Sequence, residues 1–215
     1  MLQYTKVYSK KHPDIALKII PGHFVTPNSH INYYVDMTTM KTRQAEAKAV
    51  AGAMSKAYIA TTIVDTIVCM DGTEVIGAYL ADELSKAGIL SMNQHKTIYV
   101  VTPEYDQLGQ IIFRDNMTMM VENKHVLLLL ASMTTGKTVN RAIEGINYYG
   151  GNITGVSAIF SAGTSVAGHT INSLFDKSDI PDYISYNPES CKMCQEGHKI
   201  TAICNGFGYS EVKHN

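Results

Sequence analysis

The sequence predicts an α/β fold, a mostly parallel sheet flanked by helices on both faces, and three observations lead to it. Apolar, β-branched runs alternate with alanine-rich or amphipathic segments in a β-α-β-α-β order, the pattern of parallel strands joined by crossover helices. The two turns richest in small polar residues, Asp71-Gly72-Thr73 and Ser132 to Thr138, each follow an apolar run directly, so both should open on the same rim of the sheet. A chain of 215 residues with 45% apolar and 17% charged content can bury one substantial core, most simply as a single domain spanning 1–215.

The elements follow in order. After a short polar arm, Met40 to Ala60 is alanine-rich with Lys and Glu interspersed, which favours a helix. Ile63 to Cys69 is a β-branched strand run, and the turn after it leads into a second alanine-rich helix from Glu74 to Ala87, closed by Gly88. Thr97 to Val101 is a short strand cut by Pro103. Pro103 to Arg114 has Gly109 and little apolar periodicity before Ile111, so it reads as a mobile loop over the site. Strand-helix alternation resumes with Val126 to Leu130, Val139 to Tyr149, Gly150-Gly151 and Ile153 to Phe160. Lys199 to Cys204 alternates as a strand does.

Charge and composition narrow the function classes. The net charge is −1 with both signs interspersed, so no basic stripe argues for nucleic acid, while a local nest of N–H groups still suits a small anion. Met1 to Lys11 lacks the apolar core of a secretory signal, and no apolar stretch approaches the ~20 residues of a membrane span; a cytoplasmic protein with no membrane partner is expected. Four cysteines do not suggest a disulfide scaffold in a chain of this length.

The most informative stretch is Val126 to Val139: five apolar residues through Leu130, then Ala131-Ser-Met-Thr-Thr-Gly-Lys-Thr138 at a helix start. Backbone N–H groups point outward at such a start and can cradle a phosphate. Ala131 to Thr138 has Walker A spacing except that alanine replaces the first glycine, which would make the chain a divergent P-loop NTPase. Such an enzyme needs an acid at a second strand tip to hold Mg²⁺; Ile153 to Phe160 ends in Ser161-Ala162-Gly163, and only Asp71 offers itself upstream. Plainer readings are a threonine-capped helix with a solvated Lys137, and an ordinary strand-to-helix turn at Asp71 to Thr73.

Met133-Thr134-Thr135-Gly136-Lys137-Thr138 also resembles the phosphate loop of type I phosphoribosyltransferases, and three further segments in the same order resemble their orotate branch. These are Gly22-His23-Phe24 with Ser29 to Asp36, Asp65 to Ala81, and Asn187-Pro-Glu-Ser-Cys-Lys-Met-Cys-Gln-Glu-Gly197. The resemblance implies a core of about 41–179 and a small hood built from about 1–40 and 180–215. It implies that Ser132, Met133, Thr134, Thr135, Gly136, Lys137 and Thr138 bind the 5′-phosphate of phosphoribosyl pyrophosphate (PRPP). Asp71, Gly72 and Thr73 would hold pyrophosphate, and Gly22, His23 and Phe24 would cover the base. It further implies Mg²⁺ bound with PRPP, a nucleobase acceptor and a homodimer.

Three departures bear on catalysis. The paired acids that bind the ribose hydroxyls in that family fall here on Leu130 and Ala131. The mobile-loop base is missing from Thr102 to Gly109, and Thr73 and Glu74 replace a glycine pair. Two functions stay open: transfer of a phosphoribosyl group to a nucleobase, or non-catalytic binding of PRPP or a nucleoside monophosphate by a regulator or partner protein.

Cys191-x-x-Cys194 followed by His198 and Cys204 approaches a zinc-ligand count; reduced thiols and a redox pair are the alternatives. His23, His30, His95 and His169 are scattered and read as hydrogen-bonded surface or hood residues rather than ligands. Tyr33-Tyr34 and Tyr148-Tyr149 suit a base pocket or a dimer face.

Overall fold

The computed structural model describes residues 2–86, 88–94 and 96–214. Ala87, the expected end of the second helix, and His95 lie outside the described residues. The first part of the chain forms β1 (Thr5–Tyr8), β2 (Ala16–Val25), β3 (His30–Asp36), α1 (Thr38–Thr42), α2 (Gln44–Ser55), β4 (Thr66–Cys69) and α3 (Glu74–Lys86). There follow β5 (Tyr99–Val101), β6 (Glu104–Tyr105), β7 (Ile111–Ile112), α4 (Asp115–Thr118), β8 (His125–Met133), α5 (Lys137–Tyr148) and β9 (Asn152–Ser161). The chain ends with β10 (Ser165–Val166), β11 (His169–Asp176), β12 (Ser185–Tyr186), α6 (Lys192–Gln195), β13 (Ala202–Asn205) and β14 (Gly208–Glu211). No helix among the described residues is long and apolar enough to cross a membrane.

The α/β architecture expected from the alternation is present. One sheet runs β10-β11-β9-β8-β4-β5, parallel from β11 to β5. Its central strands are apolar on both sides because both faces are covered. Leu127, Leu129 and Ala131 of β8 join a core with α2 and α3, whereas Val126, Leu128 and Leu130 join one with α5. A second sheet, β12-β3-β2-β13-β14 with β1 beside β2, unites both ends of the chain. Phe24 and Ile31 of this hood share the α2–α3 core with Leu127, so hood and sheet are packed as one body on that face.

Several boundaries differ from the sequence reading. The helix expected over Met40 to Ala60 is two, because Arg43 is extended at φ −92°, ψ 117° between α1 and α2. Strand β8 continues past Leu130 to Met133, since Ser132 and Met133 pair with Phe160 and Ser161. Pro103 to Arg114, expected as a mobile loop, contains the antiparallel ribbon β6–β7. That ribbon is anchored by buried Ile111 and Phe113 and braced by Arg114, whose Nε lies 3.1 Å from both carboxylate oxygens of Glu104.

One close approach sets how β9 packs. Thr154 is an extra residue in the β8–β9 register, and a Cβ at the next residue, Gly155, would lie 2.7 Å from Tyr58 Cε1 and 2.9 Å from Leu127 Cδ1. Leu127 can turn a methyl, but Tyr58 is fixed: its hydroxyl donates to Val156 O at 3.2 Å and accepts from Asn172 at 3.0 Å. Gly155→Ala is therefore expected to destabilise the fold by roughly 1–3 kcal/mol through overpacking. Chemical denaturation checks this, and an unchanged midpoint would show that the Tyr58 ring can shift freely.

Candidate functional site

The rim where β4 and β8 end carries both polar turns, as the sequence order requires. At the end of β8, Gly136 takes φ +77° and turns the chain into α5. No side chain caps α5, and no acid lies in its first turn, so the N–H groups of its first residues are left for a ligand. Ser132, Thr135, Lys137 and Thr138 are exposed, whereas Met133 and Gly136 are buried. At the end of β4, Asp71 and Gly72 take φ +58° and +76°, and the Asp71 carboxylate accepts from the Ala131 backbone N–H of β8.

Between them opens a cleft of ≈ 590 Å³, in the range that holds a small organic ligand. All seven residues from Ser132 to Thr138 line it, with Lys41, Lys137 and Arg141 as cations. Asp71 is the one carboxylate among the described lining residues. The hood supplies the far wall through Thr26, Asn28, Ile31, Tyr34 and Phe207, and Asn28 Nδ2 reaches Thr138 Oγ1 at 3.5 Å. The β6–β7 ribbon closes one end through Tyr105 and Gly109.

Asp71 and Lys41 form the electrostatic centre. Lys41 is buried, and its Nζ donates to Asp71 O at 2.7 Å and Gly206 O at 2.5 Å, tying the β4 turn to the β13–β14 turn. Burial lowers the Lys41 pKa, opposed by the negative charge of Asp71, Glu74 and Asp36. Burial also raises the Asp71 pKa, opposed by Lys41 and by a hydrogen bond from the Ala131 backbone N–H. Tyr105 is pushed up to about 12 by burial and the nearby Asp71 charge, so its phenol stays a donor at neutral pH.

The expected site residues divide. Of the β4 turn only Asp71 lines the cleft; Thr73 is buried, and its hydroxyl donates to Met70 O at 2.8 Å and Leu129 O at 3.3 Å. Gly22, His23 and Phe24, expected over the base, do not line it. Phe24 is core, packed on Tyr34 with ring centroids 5.7 Å apart, and His23 turns toward Cys191 and Cys194. The hood meets the cleft instead through residues just after β2 and within β3. Tyr34 lines the cleft, whereas Tyr148 is fully at the surface and Tyr149 packs on Phe113. Sequence reasoning missed Lys41, Arg141 and Tyr105; the spacing of Arg141 three residues after Thr138, one turn along α5 on the same face, was the available signal.

The four expected zinc ligands do not converge. His198 directs its ring to Glu196 at 3.5 Å, and Cys204 Sγ lies 3.5 Å from Val25 O, facing the cleft. Cys191 and Cys194 are instead joined by His23 and His30, which had read as isolated.

No protein-family model and no curated protein sequence matches the chain. Solved structures do. The orotate phosphoribosyltransferase of Mycobacterium tuberculosis, in complex with Fe(III) dicitrate, superposes with a TM-score of 0.52 at 16% identity, over 76% of this chain and 92% of that one. The UMP synthase of Leishmania donovani gives 0.56 at 15% identity, over 76% of this chain and 34% of that one. The adenine phosphoribosyltransferase of Thermoanaerobacter pseudethanolicus gives 0.51 at 14% identity, over 80% and 95%. The chain thus has the type I phosphoribosyltransferase fold, in a divergent form.

Proposed function

We propose that this chain is an orotate phosphoribosyltransferase-like protein that binds PRPP or a nucleoside monophosphate by its 5′-phosphate. The observation that carries this reading is the uncapped start of α5, opening into a cleft with three cations and one carboxylate. A 5′-phosphate on Thr134 to Thr138 would accept the free N–H groups, and Arg141, one turn along α5, would face the same anion.

In the transfer reading a nucleobase displaces pyrophosphate at the ribose anomeric carbon. Mg²⁺ is the ion this implies, and a single carboxylate beside phosphate oxygens is a donor set that suits it; Asp71 would hold it, and it would neutralise charge on the departing pyrophosphate. The chain's own contribution would be Lys41 fixing Asp71 in place and Tyr105, its hydroxyl 3.6 Å from Met70 Sδ, walling one end of the cleft. A second reading, binding without transfer, is favoured by Leu130 and Ala131, which are buried and offer no acceptor to ribose hydroxyls.

Steady-state pyrophosphate release from PRPP with a panel of nucleobases separates the two. Release above the background without protein supports transfer. Binding of PRPP without release supports the second reading, and failure to bind any 5′-phosphate contradicts both.

A further inference from the structure

Away from the cleft, at the outer side of the hood, four side chains from opposite ends of the chain meet. His23 lies where β2 carries an extra residue against β3, between the Pro21–Tyr33 and Phe24–Ile31 pairs. His30 opens β3, Cys191 caps the start of the single turn α6, and Cys194 lies within it. Their ligand atoms all lie within 4.8 Å of one another.

The individual separations have the size a shared ion requires. A tetrahedral zinc with bonds of about 2.3 Å to sulfur and about 2.0–2.1 Å to nitrogen sets N–N near ~3.3 Å and N–S near ~3.6 Å. Here His23 Nε2 to His30 Nδ1 is 3.0 Å, and Cys194 Sγ to His30 Nδ1 is 3.3 Å. Cys194 Sγ and Cys191 Sγ lie 3.7 and 3.8 Å from His23 Nε2. A redox pair of cysteines would give no reason for two imidazoles to turn their nitrogens onto the same point.

The surroundings orient the ligands. His23 Nδ1 lies 2.9 Å from His198 O, so with Nδ1–H donating, Nε2 presents its lone pair toward the thiols. The backbone makes that carbonyl available: Gly197 takes φ +75° after α6, and His198 N donates back to Met193 O at 2.8 Å. His198 thus takes part through its main chain and not its ring. His23 and Cys191 are buried while Cys194 is exposed, which leaves an entry path from solvent.

We propose that His23, His30, Cys191 and Cys194 form a structural zinc site that clasps the C-terminal segment onto the β2–β3 hairpin. Two thiolates and two imidazoles in a closed tetrahedron are the donor set of structural zinc. The clasp joins residues 168 apart, and because β3, β13 and the turn between β2 and β3 border the cleft, it holds the hood wall in register. This proposal stands independently of what the cleft binds.

The test is metal analysis of the full chain purified without added metal, beside Co²⁺ substitution read by thiolate-to-cobalt charge transfer. One zinc per chain, a tetrahedral Co²⁺ spectrum and a lower Tm after chelation are expected. Cys194→Ser and His30→Gln, at the more exposed ligands, should lose the metal while far-UV circular dichroism shows a retained fold. His198→Gln should keep it, since the carbonyl remains. A wild-type chain that holds neither zinc nor Co²⁺ would overturn the proposal, as would metal retained in both ligand variants or lost in His198→Gln.

Discussion

Thr138→Glu is expected to weaken binding of a 5′-phosphate by about one to two orders of magnitude while leaving the fold as stable as before or slightly more so. Thr138 is exposed in the first turn of α5, on a helix with no acid there and no side-chain cap. An acid at this place complements the helix dipole and stabilises by about 0.3–1 kcal/mol. The same charge faces the phosphate. Between surface and bulk-water limits, a carboxylate about 5 Å from a phosphate dianion opposes binding on the order of 2–3 kcal/mol, or about 30–150-fold in affinity. Stability and affinity thus move in opposite directions, which no general loss of structure imitates. Calorimetric titration beside thermal unfolding checks both, and undiminished affinity would place the phosphate elsewhere.

Lys41→Met is expected to be the most damaging single change in the cleft. It leaves the carbonyls of Asp71 and Gly206 without their shared donor and the Asp71 carboxylate without its nearest cation. Each carbonyl is part-buried and its orphaning costs up to about 1–3 kcal/mol, so a loss of roughly 2–5 kcal/mol is expected with the lost charge pairing. Its pH dependence follows from the sign of the Asp71 shift. Burial already raises that pKa, and losing Lys41 raises it further. The folded variant then binds more protons than the unfolded chain between the ordinary aspartate pKa and the raised one. Its stability is greatest below that window and falls as pH rises through it. Urea unfolding of wild type and variant across acid to neutral pH should show the gap widening toward neutrality; a constant gap would mean that Asp71 does not depend on Lys41.

How much was legible in the sequence depended on how local its cause was. The strand-turn-helix of β8 and α5 could be read because an apolar run, Thr134-Thr135-Gly136 and a helix start are contiguous, and Gly136 takes the positive φ that its place at the turn demanded. The order of strands and helices was legible for the same reason. Lys41 was not, since it looked like one of several lysines on a continuous alanine-rich helix; the break at Arg43 turns it inward, and tertiary packing made that break. The extension of β8 to Met133 likewise depends on pairing with Ser161 of β9.

The hood shows a nearer miss. A hairpin turning at Thr26 to Ser29 sets His30 opposite Val25, two residues from His23, so the period of a strand alone places both histidines on one face. That was readable. What the sequence could not show is that Cys191 and Cys194 would come to the same face, because β12 and β13 reach β3 and β2 only after the whole core has intervened. Spacing within the C-terminal segment favoured His198 and Cys204 as ligands, but the His198 ring lies against neighbouring Glu196, and pairing of β13 with β2 sends Cys204 to the cleft.

A 5′-phosphate cradle at Thr134 to Thr138 is tested by calorimetric titration of the wild-type chain with ribose 5-phosphate and PRPP, with ribose as the control. Saturable binding of both phosphates at one site per chain, weakened by salt and absent for ribose, is the predicted result. Heats no different from those of ribose, at low ionic strength and with Mg²⁺ present, would contradict it.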